Sequence, residues 1–381
     1  MSTSGTETYV EETQKTTTLD AATAQELISS FFPLEWATTS ASSISIQNIT
    51  GGLVNTLHLV RRSSPSLHEP QAILIRHFGH ISQNEDPHAD DVLTLSAVDQ
   101  ALVACEMGRR GWGPKVHGIF QGGRLEEWIE GSRTFHPEDV LGDVGRGVAR
   151  GYARFHSLEM PIRRDGFERV VKEFRDGVRG KREKVLDELR AVKDSMGWKY
   201  ALLFEEMDWL GELAWVVSLI EQFKCRKTLT HGDSNHLNIL IWSSAHKEDA
   251  LDSVVLIDYE MVSYSYRGID IGGHFNERMY CYTQPDTQLT GYPPPNSDEQ
   301  RGFCETYIHE TRELKGMIEE GDTVEQLLLE AKIGQLCHLL FTNLMLTVLD
   351  EVEIEPVFLE GMVHMMETYG RLKEEFIRGR M

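Results

Sequence analysis

The sequence is poor in cysteine and has no long apolar run. Its 381 residues include five cysteines, an odd number scattered along the chain without a Cys-x-x-Cys pair. This pattern argues against a disulfide framework and against a thiolate zinc site. It is typical of reduced thiols, so we expect a cytoplasmic protein. No stretch reaches the roughly 18 consecutive apolar residues of a transmembrane helix, so no membrane insertion is expected.

Positive charge is also scarce. Lys and Arg number 38 against 60 Asp and Glu, which gives a formal net charge of -22. A surface this negative repels nucleic-acid backbones and anionic lipid, so neither is an expected partner, whereas a cationic small molecule is tolerated. Hydrophobic residues make up 40% of the chain. The length suits two or three domains of roughly 100–200 residues each.

The chain divides into parts of different character. Residues 1–18 are rich in Thr, Ser and Glu, lack the apolar core of a secretory signal and predict a flexible tail. From 19 to 130, short strand patterns and two helical patterns predict a small β-rich N-lobe. From 131 to 381, helical patterns dominate, among them 137–156 and 200–223, and predict a larger helical C-lobe. The expected fold class is α+β.

The most informative segments are 230–240 (THGDSNHLNIL) and 254–277 (VVLIDYEMVSYSYRGIDIGGHFNE). Phosphoryl transfer needs a carboxylate that orients the substrate hydroxyl and further oxygen ligands that hold Mg²⁺ against the nucleotide phosphates. Protein kinases use a catalytic-loop Asp, an Asn five residues later and a second Asp after a strand. Asp233, Asn238 and Asp258 have this order and spacing. One carboxylate and one amide oxygen suit a hard cation.

Together with its flanks, this pattern resembles the choline/ethanolamine kinase family, and the choline kinases more closely. The resemblance rests on His-x-Asp-x4-Asn, then Ile-Asp-Tyr-Glu, then Tyr-Arg-Gly-Ile-Asp-Ile-Gly-Gly-His-Phe-Asn-Glu. Earlier segments agree: TGGLVN at 50–55, IRHFG at 75–79, GPKVHGIF at 113–120 and GRLEEWI at 123–129. The likeness spans about 44–282, and its specificity lies in the joint order of the pieces.

The resemblance implies a protein-kinase-like, two-lobed fold and an ATP- and Mg²⁺-dependent kinase. Its reaction would phosphorylate the hydroxyl of choline or ethanolamine, the first step of phosphatidylcholine or phosphatidylethanolamine synthesis. Asp233 is then the expected catalytic base, and Asn238 and Asp258 are the expected metal ligands. Nucleotide contacts are implied for Gly51, Gly52, Asn55, Arg76, Glu127 and Ile129, and substrate contacts for Asp233, Asn235, Glu277, Tyr282, Phe341 and Phe358.

Several of these roles have a physical reason. Arg76 is expected to hold the ATP phosphates, because a guanidinium can bond two oxygens at once. Gly51 and Gly52 would let the backbone approach the phosphates without an intervening Cβ. By the same resemblance, Asp99 is expected to pair with Arg76, and Asp270 is expected to brace the catalytic loop through hydrogen bonds.

The head-group site is where the resemblance thins. Family members hold a trimethylammonium group in a box of aromatic rings, and cation–π attraction there is worth up to about 2 kcal/mol when desolvated. Met261, Leu344 and Gly361 stand where aromatic residues are usual, and Phe341 stands for a Trp. The substrate therefore stays open between ethanolamine, choline in a remodelled site, and another amino alcohol of specialised metabolism. The Tyr-x-Tyr-Arg-Gly run that begins at Tyr264 favours choline.

Two rival functions also stay open. A pseudokinase would bind nucleotide without catalysis, although the intact set of Asp233, Asn238 and Asp258 argues against it. An aminoglycoside-type or protein kinase would share the fold. Against a protein kinase, no activation-loop-like insert separates Asp258 from Asp270. The expected partner is a small amino alcohol, and a homodimer is compatible with the sequence.

Overall fold

The protein is described by a computed structural model, and its residues form two compact units. The described residues are 19–49, 55–64, 67–78, 93–140, 142–192, 195–242, 250–284, 286–317, 320–349 and 356–379. The first unit contains the described residues up to 78 together with 116–128, and the second contains 93–115 and those from 129 onward. The change of unit after 128 lies close to the lobe limit expected after 130.

One segment groups differently from the expected division. Residues 93–115, which carry helix α2 (Ala97–Arg109), belong to the second unit although the sequence placed them in the N-lobe. A backbone bond inside that unit gives a physical reason, because the N–H of Leu95 donates to the carbonyl of Glu260 at 2.7 Å. Ser96 caps the start of helix α2, since its hydroxyl accepts from the N–H of Asp99 at 3.2 Å.

The first unit is a five-stranded antiparallel sheet with the strand order β1-β2-β3-β5-β4. Its elements are α1 (Ala21–Ser29), β1 (Ile44–Ile49), β2 (Thr56–Arg62), β3 (Ala72–His77), β4 (Val116–Phe120) and β5 (Gly123–Glu127). One sheet face, including Ile73, Ile75 and Leu125, packs with α1 into an apolar core. Because side chains alternate along a strand, Arg76 and Arg124 belong to the opposite face.

The second unit is mostly helical, with two small antiparallel sheets, β10-β7 and β6-β8-β9. Its strands are β6 (Arg133–Thr134), β7 (Lys227–Thr230), β8 (Ile239–Ile241), β9 (Val254–Leu256) and β10 (Ser263–Tyr266). Its helices after α2 are α3 (Asp143–His156), α4 (Gly166–Ala191), α5 (Ser195–Glu206), α6 (Trp209–Gln222), α7 (Arg267–Glu277), α8 (Ser297–Lys315), α9 (Val324–Leu344) and α10 (Pro356–Ile377). Among the described residues, no helix combines the length and the apolar character that crossing a membrane requires.

Helix α7 is fixed to the central helix α9. Glycines allow the two backbones to approach closely, since a Cβ on Gly334 would overlap the carbonyl of Gly268. Arg267, 1% exposed at the start of α7, donates to Glu330 at 2.7 Å and to Asp322 at 2.6 Å. Buried charges are stable only when paired in this way. The contact therefore fixes the position of α7 and of the side chains that it carries.

The structure corrects several sequence predictions. The helix predicted over 200–223 is two helices, because Asp208 caps α6 by accepting from the N–H of Gly211 at 3.1 Å. The helix predicted over 137–156 begins with a separate 3₁₀ turn, Pro137–Val140, before α3. Helices α7 and α8 were not predicted. The glycines of α7 have low helix propensity, and the helix follows from packing on α9.

Candidate active site

Asp233 lies on a tight turn that directly follows β7. At its centre, Gly232 has a φ of +82°, a conformation that favours glycine. A Cβ there would overlap the carbonyl oxygen of Met261. The turn is held by Asp270 of α7, whose carboxylate accepts from the N–H groups of His231 at 2.6 Å and Gly232 at 3.0 Å. The prediction that Asp270 braces the catalytic loop is confirmed.

The Asp270 carboxylate is fully buried and has a third donor. His156 Nε2 lies 3.0 Å from it, and His156 Nδ1 lies 2.9 Å from the hydroxyl of Tyr307. Because a carboxylate only accepts, Nε2 carries the proton and Nδ1 accepts from Tyr307. Burial would raise the pKa of Asp270, but the hydrogen bonds from His156 and from the backbone N–H of His231 outweigh it and lower the pKa. Asp270 therefore stays ionised while it holds the turn.

Asp233 itself is fixed by two hydrogen bonds. The side-chain N–H of Asn238 donates to Oδ2 at 2.7 Å, and the backbone N–H of Asn235 donates to Oδ1 at 3.1 Å. Asn235 caps the short 3₁₀ turn that follows, since its Oδ1 accepts from the N–H of Leu237 at 2.9 Å. The amide nitrogen of Asn238 is thus engaged by Asp233, and its amide oxygen is left for another ligand.

Asp258 follows β9, the strand that pairs with β8 next to Asn238. The N–H of Ile257 donates to the backbone carbonyl of Asn238 at 2.9 Å, which ties the two segments together. Asp258 has a φ of +67°. For a residue with a Cβ this conformation costs about 1–3 kcal/mol, and such strain clusters at functional sites. The backbone strain indicates that the surrounding structure fixes the direction of the Asp258 side chain.

Acidic groups are concentrated around Asp233. Burial raises the pKa of Asp233, His231 opposes this rise, and the charges of Glu277 and Asp258 add to it. Nearby like charges disfavour the charged form of each carboxylate, so the site gains from a bound cation. The structure therefore brings Asp233, Asn238 and Asp258 together, with Glu277 within electrostatic reach.

Glu277 ends α7 and is 4% exposed. Its Oε1 accepts from the hydroxyl of Tyr282 at 3.0 Å and lies 3.4 Å from His338 Nε2. The ring of Tyr282 is stacked on His236, with centroids 6.4 Å apart. Among the described residues, Glu277 Oε2 is buried and has no hydrogen-bond partner. A buried carboxylate oxygen in this state suits a cationic ligand.

The other aromatic substrate candidates are Phe341 and Phe358. Phe341 packs into the helical core, with its ring 5.2 Å from Phe174 and 6.2 Å from Phe167. Phe358, near the start of α10, is 41% exposed. Leu344, at another position where an aromatic residue was expected, is fully buried in the same core. Substrate contacts of Phe341 and Phe358 stay predictions.

Comparison with known proteins decides the family. The sequence model of the choline/ethanolamine kinase family matches residues 46–363. The chain belongs to the choline/ethanolamine kinase family. It is 29% identical over 305 residues to the human choline/ethanolamine kinase, covering 76% of this chain and 68% of that protein.

Solved structures agree on the fold. The choline kinase of Cryptosporidium parvum has a TM-score of 0.67 at 16% identity, over 94% of this chain and 97% of that chain. The ethanolamine kinase of Plasmodium vivax has a TM-score of 0.60 at 16% identity, over 98% of this chain and 93% of that chain. The expected protein-kinase-like α+β fold is confirmed for this member of the choline/ethanolamine kinase family.

The nucleotide residues expected of this family member are distributed over the first unit and the start of the second. Gly51 and Gly52 lie outside the described residues. Asn55 is buried immediately before β2, and Arg76 is buried near the end of β3. The Nε of Arg76 donates to Glu126 at 3.2 Å. The nucleotide contacts of these residues stay predictions.

The remaining candidates flank the change of unit. Glu127 ends β5. Ile129 is 3% exposed, and its carbonyl accepts from the hydroxyl of Ser132 at 2.8 Å. Asp99 lies in the first turn of α2. Its pairing with Arg76 stays a prediction, as do the adenine contacts of Glu127 and Ile129.

Sequence reasoning missed the partners that support this kinase site. His156 reaches Asp270 from α3, and Tyr307 of α8 hydrogen-bonds to His156 in turn. His338 reaches Glu277 from α9. Only His156 had a signal, because it lies in a helix end, FHSLEMP, that resembles the family. Its hydrogen-bonding role depends on tertiary packing.

Proposed function

We propose that this chain transfers the γ-phosphoryl group of MgATP to the hydroxyl of choline or ethanolamine. The observation that carries the proposal is the hydrogen-bonded pair Asp233 and Asn238 beside the strained Asp258. This set offers a base for the hydroxyl and oxygen ligands for a metal, which are the parts that phosphoryl transfer needs. The product would enter phosphatidylcholine or phosphatidylethanolamine synthesis.

The donor set fits magnesium. Mg²⁺ prefers carboxylate and carbonyl oxygens, and Asp258 and Asn238 offer one of each. The amide nitrogen of Asn238 is occupied by its bond to Asp233, which leaves Oδ1 as the metal-binding atom. Mg²⁺ bound by these residues would neutralise charge on the nucleotide phosphates.

Asp233 is the proposed base. The alcohol oxygen attacks the γ-phosphorus, its proton passes to Asp233, and the bond to the β,γ-bridging oxygen breaks to release ADP. The pKa of Asp233 is raised by burial and by the charges of Glu277 and Asp258, which increases its affinity for the proton. Hydrogen bonds from Asn235 and Asn238 keep the carboxylate in one orientation.

Glu277 is the proposed partner of the substrate ammonium group. Its Oε1 is engaged by Tyr282, and its Oε2 is buried without a hydrogen-bond partner among the described residues. An ammonium ion supplies the missing positive charge, whether as the primary amine of ethanolamine or as the quaternary head of choline. The ring of Tyr282 offers cation–π attraction to either head group.

A substrate screen tests the proposal. The purified chain is incubated with MgATP and choline, ethanolamine, dimethylethanolamine or an aminoglycoside, and the phosphomonoester and ADP are measured. We expect product from at least one of the amino alcohols. Asp233→Asn should lower kcat on the order of 10² to 10⁴-fold, because general-base catalysis contributes that much.

The matched control is Asp187→Asn, which removes an exposed carboxylate from α4 and should leave kcat unchanged. Nucleotide binding without product from any amino alcohol would contradict the proposal and indicate a pseudokinase. Full turnover by Asp233→Asn would exclude the assigned base. A cytoplasmic location is part of the proposal and is supported by the five free cysteine thiols; a homodimer stays a prediction.

A further inference from the structure

Three charged side chains share the sheet face of the first unit that lies opposite its apolar core. Arg76 of β3 and Arg124 of β5 are direct cross-strand partners, so their side chains project from the same face. Glu126 lies two residues after Arg124 on the same strand and therefore on the same face. Like charges directly opposite each other are destabilising. The carboxylate of Glu126 is therefore needed to offset the repulsion between the two guanidinium groups.

All three side chains are buried, with relative exposures of 4% for Arg76, 1% for Arg124 and 5% for Glu126. Arg76 Nε donates to Glu126 Oε1 at 3.2 Å, and Arg124 Nε donates to the same oxygen. Burial would raise the pKa of Glu126, but the two guanidinium groups outweigh it and lower the pKa to about 2. The carboxylate is therefore ionised and pairs with both guanidinium groups.

Arg124 has a buried donor atom that Glu126 does not engage. Among the described residues, its buried Nη1 has no hydrogen-bond partner. The guanidinium lies 5.5 Å from the ring centre of Phe78, which offers cation–π attraction but no acceptor. Nearly all buried polar groups in proteins are hydrogen-bonded, so a buried guanidinium donor without an acceptor indicates a missing partner.

We propose that Arg124 is a second phosphate-binding residue, which acts beside Arg76 on the phosphates of the bound nucleotide. The proposal rests on the proposed function for the identity of the anion. A phosphate group offers several acceptor oxygens, and the planar fork of arginine matches them. Glu126 then holds both forks side by side, and a phosphate oxygen is the acceptor that Nη1 of Arg124 lacks.

The alternative is that Arg124 only neutralises Glu126. The two roles differ in how binding depends on the nucleotide. A residue that binds phosphate contributes to the affinity for ADP but not to the affinity for adenosine, which has no phosphate. A residue that only supports the sheet changes stability and affects both ligands equally.

The test is calorimetric titration of ADP and adenosine, at constant Mg²⁺, into the full chain and its variants. Arg124→Lys keeps the charge and removes the fork. We expect it to weaken ADP binding roughly tenfold or more, since hydrogen bonds to charged groups are among the strong ones. Adenosine binding should be unchanged. The matched control is Arg62→Lys, a buried arginine paired with Glu35 on the other sheet face, which should leave the ratio of the two affinities unchanged.

A double variant covers the case in which Arg124→Lys fails to fold. Arg124→Met with Glu126→Gln removes one charge of each sign and should fold while still losing its preference for ADP over adenosine. ADP binding equal to wild type in the folded variant, or an equal loss for ADP and adenosine, would overturn the proposal. If the wild-type chain itself binds no ADP, the proposed kinase function fails and not merely the role of Arg124.

Discussion

At the scale of single residues, burial and neighbouring groups change the chemistry of the side chains around the catalytic turn. Asp270 and His156 illustrate the principle. The carboxylate is ionised although it is fully buried, because its oxygens accept from two backbone N–H groups and from the imidazole. Burial lowers the pKa of His156, so the imidazole is neutral, donates to Asp270 through Nε2 and accepts from the Tyr307 hydroxyl through Nδ1. The turn therefore depends on the ionised Asp270, which is held in part by His156, 114 residues away in sequence.

His274 gives a prediction at this scale. It is buried on α7 between the rings of Phe135, Tyr152 and Phe303. Burial lowers its pKa from 6.5 to about 3. Between these values the unfolded chain binds one proton more than the folded chain, so this group makes stability rise with pH by about 1.4 kcal/mol per unit. Its contribution is present above pH 6.5 and is lost as the pH falls below it.

His274→Phe should remove this slope. We expect the free energy of unfolding, measured by denaturant titration from pH 7 to pH 4, to fall less steeply with acid than in the wild type. His309→Phe changes an exposed histidine and should leave the slope as it is. Parallel curves for His274→Phe and the wild type would contradict a neutral buried imidazole.

At the scale of elements, helix α7 matters most for the site. It supplies Asp270 to the turn and Glu277 to the proposed ammonium site, and its position is set by contact with α9. Arg267 fastens its first turn to Glu330 and Asp322. Substituting Arg267 should therefore displace the side chains of Asp270 and Glu277, which lie further along α7.

The variant Arg267→Met tests how much these buried ion pairs contribute to stability. Removing one partner of a buried ion pair costs about 3–5 kcal/mol, because the remaining charges lose their compensation. We expect a loss of that size in the free energy of unfolding and a lower kcat in the fraction that still folds. Arg371→Met breaks an exposed pair with Glu375 on α10 and should cost less than about 1 kcal/mol. Equal stability of the two variants would show that the Arg267 pairs contribute little.

Elements also show what the sequence could and could not predict. The apolar runs at 71–77 and 116–120 predict strands in the sequence, and β3 and β4 occupy nearly the same residues, because short apolar runs between turn residues are a local signal. Helix α8 could have been found, since Asn296 and Glu299 form a capping box at its start. Helix α7 could not, because its glycines oppose helix formation in isolation. The break before α6 was missed although Asp208 is a good N-cap residue.

At the scale of the whole molecule, the central prediction concerned residues distant in the chain. The spacing of Asp233, Asn238 and Asp258 indicated a shared site, and the structure joins them by hydrogen bonds and electrostatic proximity. The supporting contacts were beyond reach. His156 lies 114 residues from Asp270, and Glu277 lies 61 residues from His338 in sequence. Contacts over such sequence distances produce no periodic pattern in the sequence, because they depend on how the helices pack.

The most direct test of the proposed metal site is Mn²⁺ binding in the presence of ADP, measured from the electron paramagnetic resonance signal of free Mn²⁺. Mn²⁺ is the probe because it prefers the same oxygen ligands as Mg²⁺. We predict that the wild type and Asp233→Asn bind Mn²⁺ and ADP alike, that Asp258→Asn binds Mn²⁺ at least about tenfold more weakly, and that Asp187→Asn is unchanged. Mn²⁺ binding by Asp258→Asn equal to the wild type would contradict the assignment of the metal site.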